Sequence, residues 1–196
     1  MRHRTYKEEH VLASLRPTVA AAMVRLAGVG PGMTVLDPMC GAGTILAEQL
    51  LLARRRRAGE VPTLGGDLDA AAVRAAAANL RHAGPGWRLA RWDARRLPLP
   101  AEAVDRVVCN PPFGVQLGEP AEIGPLYRAL VAECDRVLRP GGRAVLLVGE
   151  SALWQPAAAA VGWRPQRRVR LRVLGQRAEL SVWRKADAAD KTGTEY

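Results

Sequence analysis

The sequence predicts an α/β fold built on a mostly parallel, doubly wound sheet, and three observations carry that prediction. A short apolar run, 33–36, ends at Asp37 and breaks into the glycine turn Gly41-Ala42-Gly43, after which apolar residues recur at helical spacing from Thr44. Three further strand-like runs each close on a residue that can do chemistry, at Asp67, Asp93 and Asn110. Near the end, 167–174 and 178–183 alternate apolar and polar residues across Gly175-Gln176-Arg177, the pattern of an antiparallel hairpin. With a buried run at 144–148, this gives a seven-stranded, Rossmann-like sheet closed by a C-terminal antiparallel hairpin.

Taken in order, residues 1–13 have little apolar pattern and are expected to form an N-terminal arm. A helix opens at Pro17, which suits a first turn, and Val19, Met23, Val24 and Leu26 supply its apolar face before Gly28 ends it. The helix after the glycine turn finishes in Arg54, Arg55, Arg56 and Arg57, cations that complement a helix C-terminus. A second strand runs over 61–67, and Asp69 caps a helix through Leu80 to about Ala83. Strands at 87–92 and 104–109 follow, then a helix over 122–138 stopped by Pro140-Gly141-Gly142. A short helix at 151–161 leads into the hairpin. One domain spans 14–184, and the polar tail 185–196 is expected to be disordered.

Composition narrows the function classes. The apolar fraction of 48% and charged fraction of 24% are ordinary for a globular chain. No apolar run reaches membrane-spanning length, and the mixed-charge first ten residues do not form a signal peptide. Cys40, Cys109 and Cys134 are odd in number and widely spaced, which gives neither a disulfide framework nor a zinc pattern, and predicts reduced thiols in a cytoplasmic protein. Basic residues outnumber acidic ones 29 to 19, for a net charge of +10. Such an excess fits a polyanionic partner, because neutralising phosphates releases counterions.

The glycine turn is neither G-x-G-x-x-G nor a phosphate loop, since it lacks the third glycine and the Gly-Lys-Ser/Thr end. Asp37-Pro38-Met39-Cys40-Gly41-Ala42-Gly43-Thr44 resembles motif I of S-adenosylmethionine-dependent methyltransferases. In such a site Asp67, at a strand end, can accept from both ribose hydroxyls of an adenosine. Asp93 can accept from the adenine amine while the Ala94 amide donates to the ring, and Asp37 with the glycine turn would hold the methionine end. Asn110-Pro111-Pro112-Phe113 suits transfer to an exocyclic amine. That nitrogen is a poor nucleophile because its lone pair is delocalised, and the Asn110 side-chain oxygen with the Pro111 carbonyl can accept its protons and free the pair. The prolines stiffen the turn, and Phe113, the one phenylalanine of the chain, can stack on a base drawn out of its helix.

These segments, with Arg16-Pro17-Thr18, Gly65-Gly66-Asp67, Leu126-Tyr127-Arg128, 136–147 and the hairpin 168–178, resemble the THUMP-associated RNA guanine-N2 methyltransferases over most of residues 10–184. The resemblance implies a class I methyltransferase fold and formation of N2-methylguanosine in tRNA from S-adenosylmethionine. It implies Asn110, Pro111 and Phe113 at the target base. It places Thr18, Asp37, Met39, Cys40, Gly41, Gly43, Thr44, Asp67, Leu68, Asp93, Ala94 and Asn110 at the cofactor, with no metal. The chain leaves no room for a THUMP domain ahead of motif I, so the expectation is a stand-alone catalytic domain or one docked to RNA by another chain. Ribosomal RNA, a DNA adenine amine or a protein glutamine amide are alternative acceptors, and a non-catalytic RNA-binding subunit is the alternative class. For RNA docking, Arg168, Arg170 and Arg172 are expected on one strand face, with Val169, Leu171 and Val173 packed on the other.

Overall fold

The computed structural model describes residues 15–113 and 122–187. The expected arm, residues 1–13, and the tail beyond residue 187 lie outside them. The elements are α1 (Pro17–Ala27), β1 (Val35–Asp37), α2 (Thr44–Arg56), β2 (Thr63–Asp67), α3 (Ala70–Arg81), β3 (Trp87–Arg91), β4 (Val104–Cys109), α4 (Ile123–Val137), β5 (Leu138–Val148), α5 (Ser151–Ala160), β6 (Arg164–Val173) and β7 (Gln176–Arg184). The strands lie in the order β3-β2-β1-β4-β5-β7-β6, parallel except for β7, which is antiparallel to both its neighbours. The sheet therefore reverses its winding between β1 and β4, and ligands in open α/β sheets bind where that reversal opens a crevice at the strand carboxyl ends.

Alternation along the strands divides the core into two layers. Val35, Val108, Val145 and Leu147 pack with Ala20, Met23 and Val24 of α1. Leu36, Val107, Cys109 and Leu146 pack on the other face with Tyr127 and Leu130 of α4 and Trp154 of α5. Leu146 is fully buried, so truncating it to alanine is expected to cost about 2–5 kcal/mol. The three cysteines are buried and free. Among the described residues no helix is long and apolar enough to cross a membrane.

The carbonyls at the end of α1 are met by arginines from the sheet. Arg106 Nε donates to Ala27 O at 2.8 Å and Arg143 Nη1 to Leu26 O at 3.2 Å. Gly28 caps the helix at φ 62°, and a Cβ there would lie 2.8 Å from the Arg143 guanidinium. These contacts fix the α1 C-terminus at the amino edge of the sheet and leave Pro17 and Thr18 at the carboxyl edge.

Three details differ from the sequence reading. Pro140-Gly141-Gly142 does turn the chain, but pairing with β4 brackets the turn: Val104 pairs with Leu138 and Arg106 with Arg143, so residues 139–142 loop out within one strand. The hairpin tip is Leu174-Gly175, one residue earlier than expected, with φ of 50° and 82°. Two consecutive positive φ values match the right-handed strand twist of a tight hairpin, and the leucine accepts a conformation that glycine or asparagine would adopt more readily. Lys185 does not begin a disordered tail. It is buried, its Nζ donates to the carbonyls of Asp135 and Leu138, and its amide donates to Gly142 O at 3.0 Å. A lysine stem is long enough to bury and still deliver its charge to carbonyls left open at the end of α4.

Candidate active site

Four side chains anticipated from the sequence stand along the carboxyl edge. Asp37 closes β1 and Asp67 closes β2, while Asp93 and Asn110 follow β3 and β4. Pairing of β1 with both β2 and β4 sets their ends side by side.

Motif I is tied together mainly by backbone. Asp37 Oδ1 accepts from the Met39 amide at 3.2 Å, Cys40 N donates to Gly66 O at 2.9 Å, and Gly43 N donates to Cys40 O at 2.8 Å. Asp67 accepts from the Gly41 amide at 3.0 Å and from the Asp69 amide at 3.0 Å. The carboxylate expected to hold a ribose thus also ties the glycine turn to β2. With about four lone-pair sites, it keeps acceptor capacity for hydroxyls. Gly43 must be glycine: its φ is 74°, and a Cβ would press on Ala76 at 3.1 Å. Its lack of a side chain leaves the start of α2, at Thr44, without a side-chain cap.

Asp37 is 1% exposed, and burial, with Asp67 adding to it, pushes its carboxyl up to about 8. The Cys40 and Cys109 thiols are likewise pushed upward by burial, so both stay protonated. Asp93 behaves oppositely. The Arg95 guanidinium grips it at 2.7–3.0 Å, and that hydrogen bonding holds the carboxyl below its ordinary range. An adenine amine at Asp93 would share the carboxylate with Arg95. Leu68, beside Asp67, is 58% exposed and offers an apolar surface at the same edge, while Ala94 is buried. Thr18 is exposed on the first turn of α1 and has no hydrogen-bonded partner among the described residues. It belongs to the rim rather than to the motif I cluster.

The Asn110 loop is built differently. The Asn110 Oδ1 atom is buried and accepts no hydrogen bond among the described residues. A buried acceptor left open costs about 1–3 kcal/mol, so its place at a strand end needs a compensating role. A cleft of about 70 Å³ adjoins it, lined by Leu15, Asn110, Pro111, Pro112 and Phe113 on one side and by Val173, Leu174 and Gln176 of the hairpin on the other. Phe113 is half-buried and lies against Gly149, where a Cβ would come within 2.8 Å of its own Cβ. Gly149 is thus what lets the ring sit over the end of β5.

Two supporting residues carried no role in the sequence reading. Tyr127 donates its hydroxyl to Pro112 O at 3.0 Å and packs edge-on against Trp154, with centroids 5.4 Å apart. Trp92 donates its indole N–H to Pro38 O at 2.9 Å, and a Cβ on Gly66 would lie 2.4 Å from that indole. The Leu-Tyr-Arg segment was the only signal for Tyr127, and nothing local marks Trp92 as a brace.

The RMKL-like methyltransferase domain family, UPF0020, matches residues 4–178. The chain is 37% identical over 155 residues to the tRNA (guanine(6)-N2)-methyltransferase of Thermus thermophilus, covering 79% of this chain and 45% of that protein. It is 31% identical over 192 residues to the mouse tRNA (guanine(6)-N(2))-methyltransferase THUMP3, covering 90% of this chain and 37% of that one. The crystal structure of TrmN from Thermus thermophilus aligns with a TM-score of 0.75 at 34% identity, over 89% of this chain and 50% of that one. This chain therefore spans about half or less of each of these proteins. The class I methyltransferase fold is the one the sequence predicted, down to the antiparallel closing hairpin, and the chain belongs to the RMKL-like methyltransferase domain family.

Proposed function

We propose that this domain transfers a methyl group from S-adenosylmethionine to the exocyclic N2 amine of a guanosine in RNA, tRNA first, in the cytoplasm. The observation that carries this reading is the buried Asn110 Oδ1, unpaired among the described residues, beside a cleft lined also by Pro111 and Phe113. An acceptor left open in that position suits a donor supplied by the substrate, and an exocyclic amine has two N–H groups to give.

The residues of the crevice fit the cofactor. Asp67 keeps lone pairs for the ribose hydroxyls, Leu68 offers an apolar surface to the adenine, and the start of α2 suits a carboxylate. Asp37, protonated on its own near neutrality, would ionise when an ammonium arrives beside it. Bound there, S-adenosylmethionine supplies an electrophilic methyl on a sulfonium. What this chain adds is alignment. Asn110 Oδ1 and the Pro111 carbonyl accept hydrogen bonds from the two amine N–H groups, which favours a tetrahedral nitrogen with its lone pair out of the ring system. Phe113 stacks on the base, and Tyr127 holds the Pro112 carbonyl so that the loop keeps its shape. Attack leaves the methylated nitrogen cationic and acidic, and its proton passes to solvent, so no strong base is required.

The test is mass spectrometry of nucleosides from unmodified tRNA transcripts incubated with the protein and labelled S-adenosylmethionine. N2-methylguanosine is the expected product. Label in adenine of DNA or in glutamine of protein, with none in RNA, would transfer the chemistry to another acceptor.

A further inference from the structure

We propose a phosphate-binding cleft on the hairpin, formed by Arg170, Arg172 and Arg177, that holds the RNA backbone next to the target nucleotide. This rests on the reading of the domain as an RNA methyltransferase and specifies how that RNA is held. The pairing of Val148 with Glu179 shows that β7 begins beyond the end of β5, so the hairpin tip overhangs the carboxyl edge. One face of the tip, through Val173 and Gln176, borders the Asn110 cleft. The opposite face borders a second cleft of about 530 Å³, lined by Gly149, Ser151, Glu179 and the three arginines. Gly149 is the residue against which Phe113 rests, so that contact and the hairpin lie between the two clefts.

The electrostatics of this cleft are unbalanced. Arg172 and Arg177 are direct cross-strand partners, an arrangement that destabilises a hairpin unless an anion lies between them. Arg172 is steadied by a 3.1 Å hydrogen bond from Nη1 to Gly175 O. Arg170 and Arg177 have no hydrogen-bonded or ionic partner among the described residues. Glu179 is opposite Arg170, but it is buried and engaged by the Gln155 amide at 3.2 and 3.4 Å. Three guanidinium groups against one occupied carboxylate leave a positive cleft, and guanidinium forks match phosphate oxygens.

The set differs from the Arg168, Arg170 and Arg172 row that the strand pattern suggested. Arg168 is bonded to Gln155 Oε1 at 2.9 Å, while Arg177 enters from the facing strand. The opposite face of β6 is also less packed than expected, for Val169 is 38% exposed and only Val173 is buried. The other arginine cluster, Arg54 to Arg57, ends α2 near Gly59, Glu60 and residues 84–86, which lead into β2 and β3 at the amino edge. It is at the wrong end of the sheet to meet a strand entering the Asn110 cleft.

The experiment compares wild type, the R170Q/R172Q/R177Q variant and a charge-matched R54Q/R55Q/R56Q control. Binding of an unmodified tRNA transcript is followed against salt, with methylation kinetics alongside. The hairpin variant should bind about tenfold or more weakly, with a salt slope flattened by about 1–2, while kcat at saturating RNA stays near wild type. The control should keep the wild-type slope. Equal slopes in all three proteins, or equal flattening in the control, overturn the cleft while leaving RNA methylation standing. A wild type that neither binds nor methylates the transcript overturns the functional reading and the cleft together.

Discussion

The two halves of the crevice satisfy their polar groups in opposite ways. On the side of β1, β2 and β3 each carboxylate already accepts from a neighbour, with lone pairs to spare: Asp37 from Met39, Asp67 from Gly41 and Asp69, and Asp93 from Arg95. On the β4 side the Asn110 Oδ1 accepts nothing among the described residues, and the loop is held instead by a side chain bonded to a neighbouring carbonyl. The first half is a preformed cradle whose carboxylates fold the glycine turn before any ligand arrives. The second keeps one acceptor open at a cost in stability, which is the arrangement expected where an interaction is to be made with the reacting group.

Removing one acceptor from each half should separate their roles. Asn110→Ala should lower turnover on the order of 10²–10³-fold, comparable to loss of a transition-state hydrogen bond, with S-adenosylmethionine affinity close to wild type. Because the deleted acceptor is unpaired, thermal stability should hold or rise slightly. Asp67→Ala should instead weaken cofactor binding by about 1.5–3 kcal/mol in calorimetry and lower the melting temperature, since the Gly41 and Asp69 amides lose their partner. If both variants lose cofactor affinity and turnover in equal measure, the crevice is one unit and the division into halves fails.

The pH dependence of Asp37 sharpens the same contrast. Its folded-state carboxyl is raised from 3.8 to about 8, so between those values the folded protein keeps a proton that the unfolded chain has released. Stabilisation from the protonated group is complete below about 4 and is lost as pH rises through 8, with a slope of at most about 1.4 kcal/mol per pH unit. From pH 6 to 8 the cofactor-free protein should lose about 2 kcal/mol of stability through this group. Asp37→Asn keeps an oxygen for the Met39 amide and removes the titration. The difference between wild-type and D37N unfolding curves should therefore shrink at low pH and grow in favour of D37N toward pH 8. Parallel curves would mean that Asp37 is ionised in the folded protein.

Much of this was legible in the sequence because it is local. Each strand that ends in a polar residue announces itself by an apolar run and a stop, and Asp69 sits where a helix cap must sit; its carboxylate accepts from Ala71 at 2.7 Å. What the sequence concealed depends on residues far apart in the chain. Trp92 meets Pro38 across 54 positions, and Gly66 leaves room for its indole, a relation no spacing rule contains. Lys185 reads as the start of a polar tail until the open carbonyls at the end of α4 are seen beside it. The arginines of the hairpin were visible as charge, but which of them share a cleft depends on the register of β6 on β7, including the irregularity between Pro165 and Arg167.

Tyr127 gives the smallest and most selective test. Its hydroxyl reaches Pro112 O from α4, so it acts on the loop without lining the Asn110 cleft. Burial raises its ionisation well above the ordinary range, which keeps the O–H a donor at any working pH. Tyr127→Phe retains the ring against Trp154 and deletes one hydrogen bond, for an expected loss of about 1 kcal/mol in stability. If the bond also fixes the direction of the Pro111 and Pro112 peptides, turnover should fall about fivefold with the Michaelis constant for S-adenosylmethionine unchanged, because the cradle on the β1–β2 side does not depend on it. Combining it with Asn110→Ala should then give less than the product of the two effects, since a loop without its acceptor has less to gain from being held still. A full multiplicative loss in the double variant, or lost stability with wild-type turnover in the single one, would make Tyr127 a support of the fold alone and leave the two prolines to position the loop.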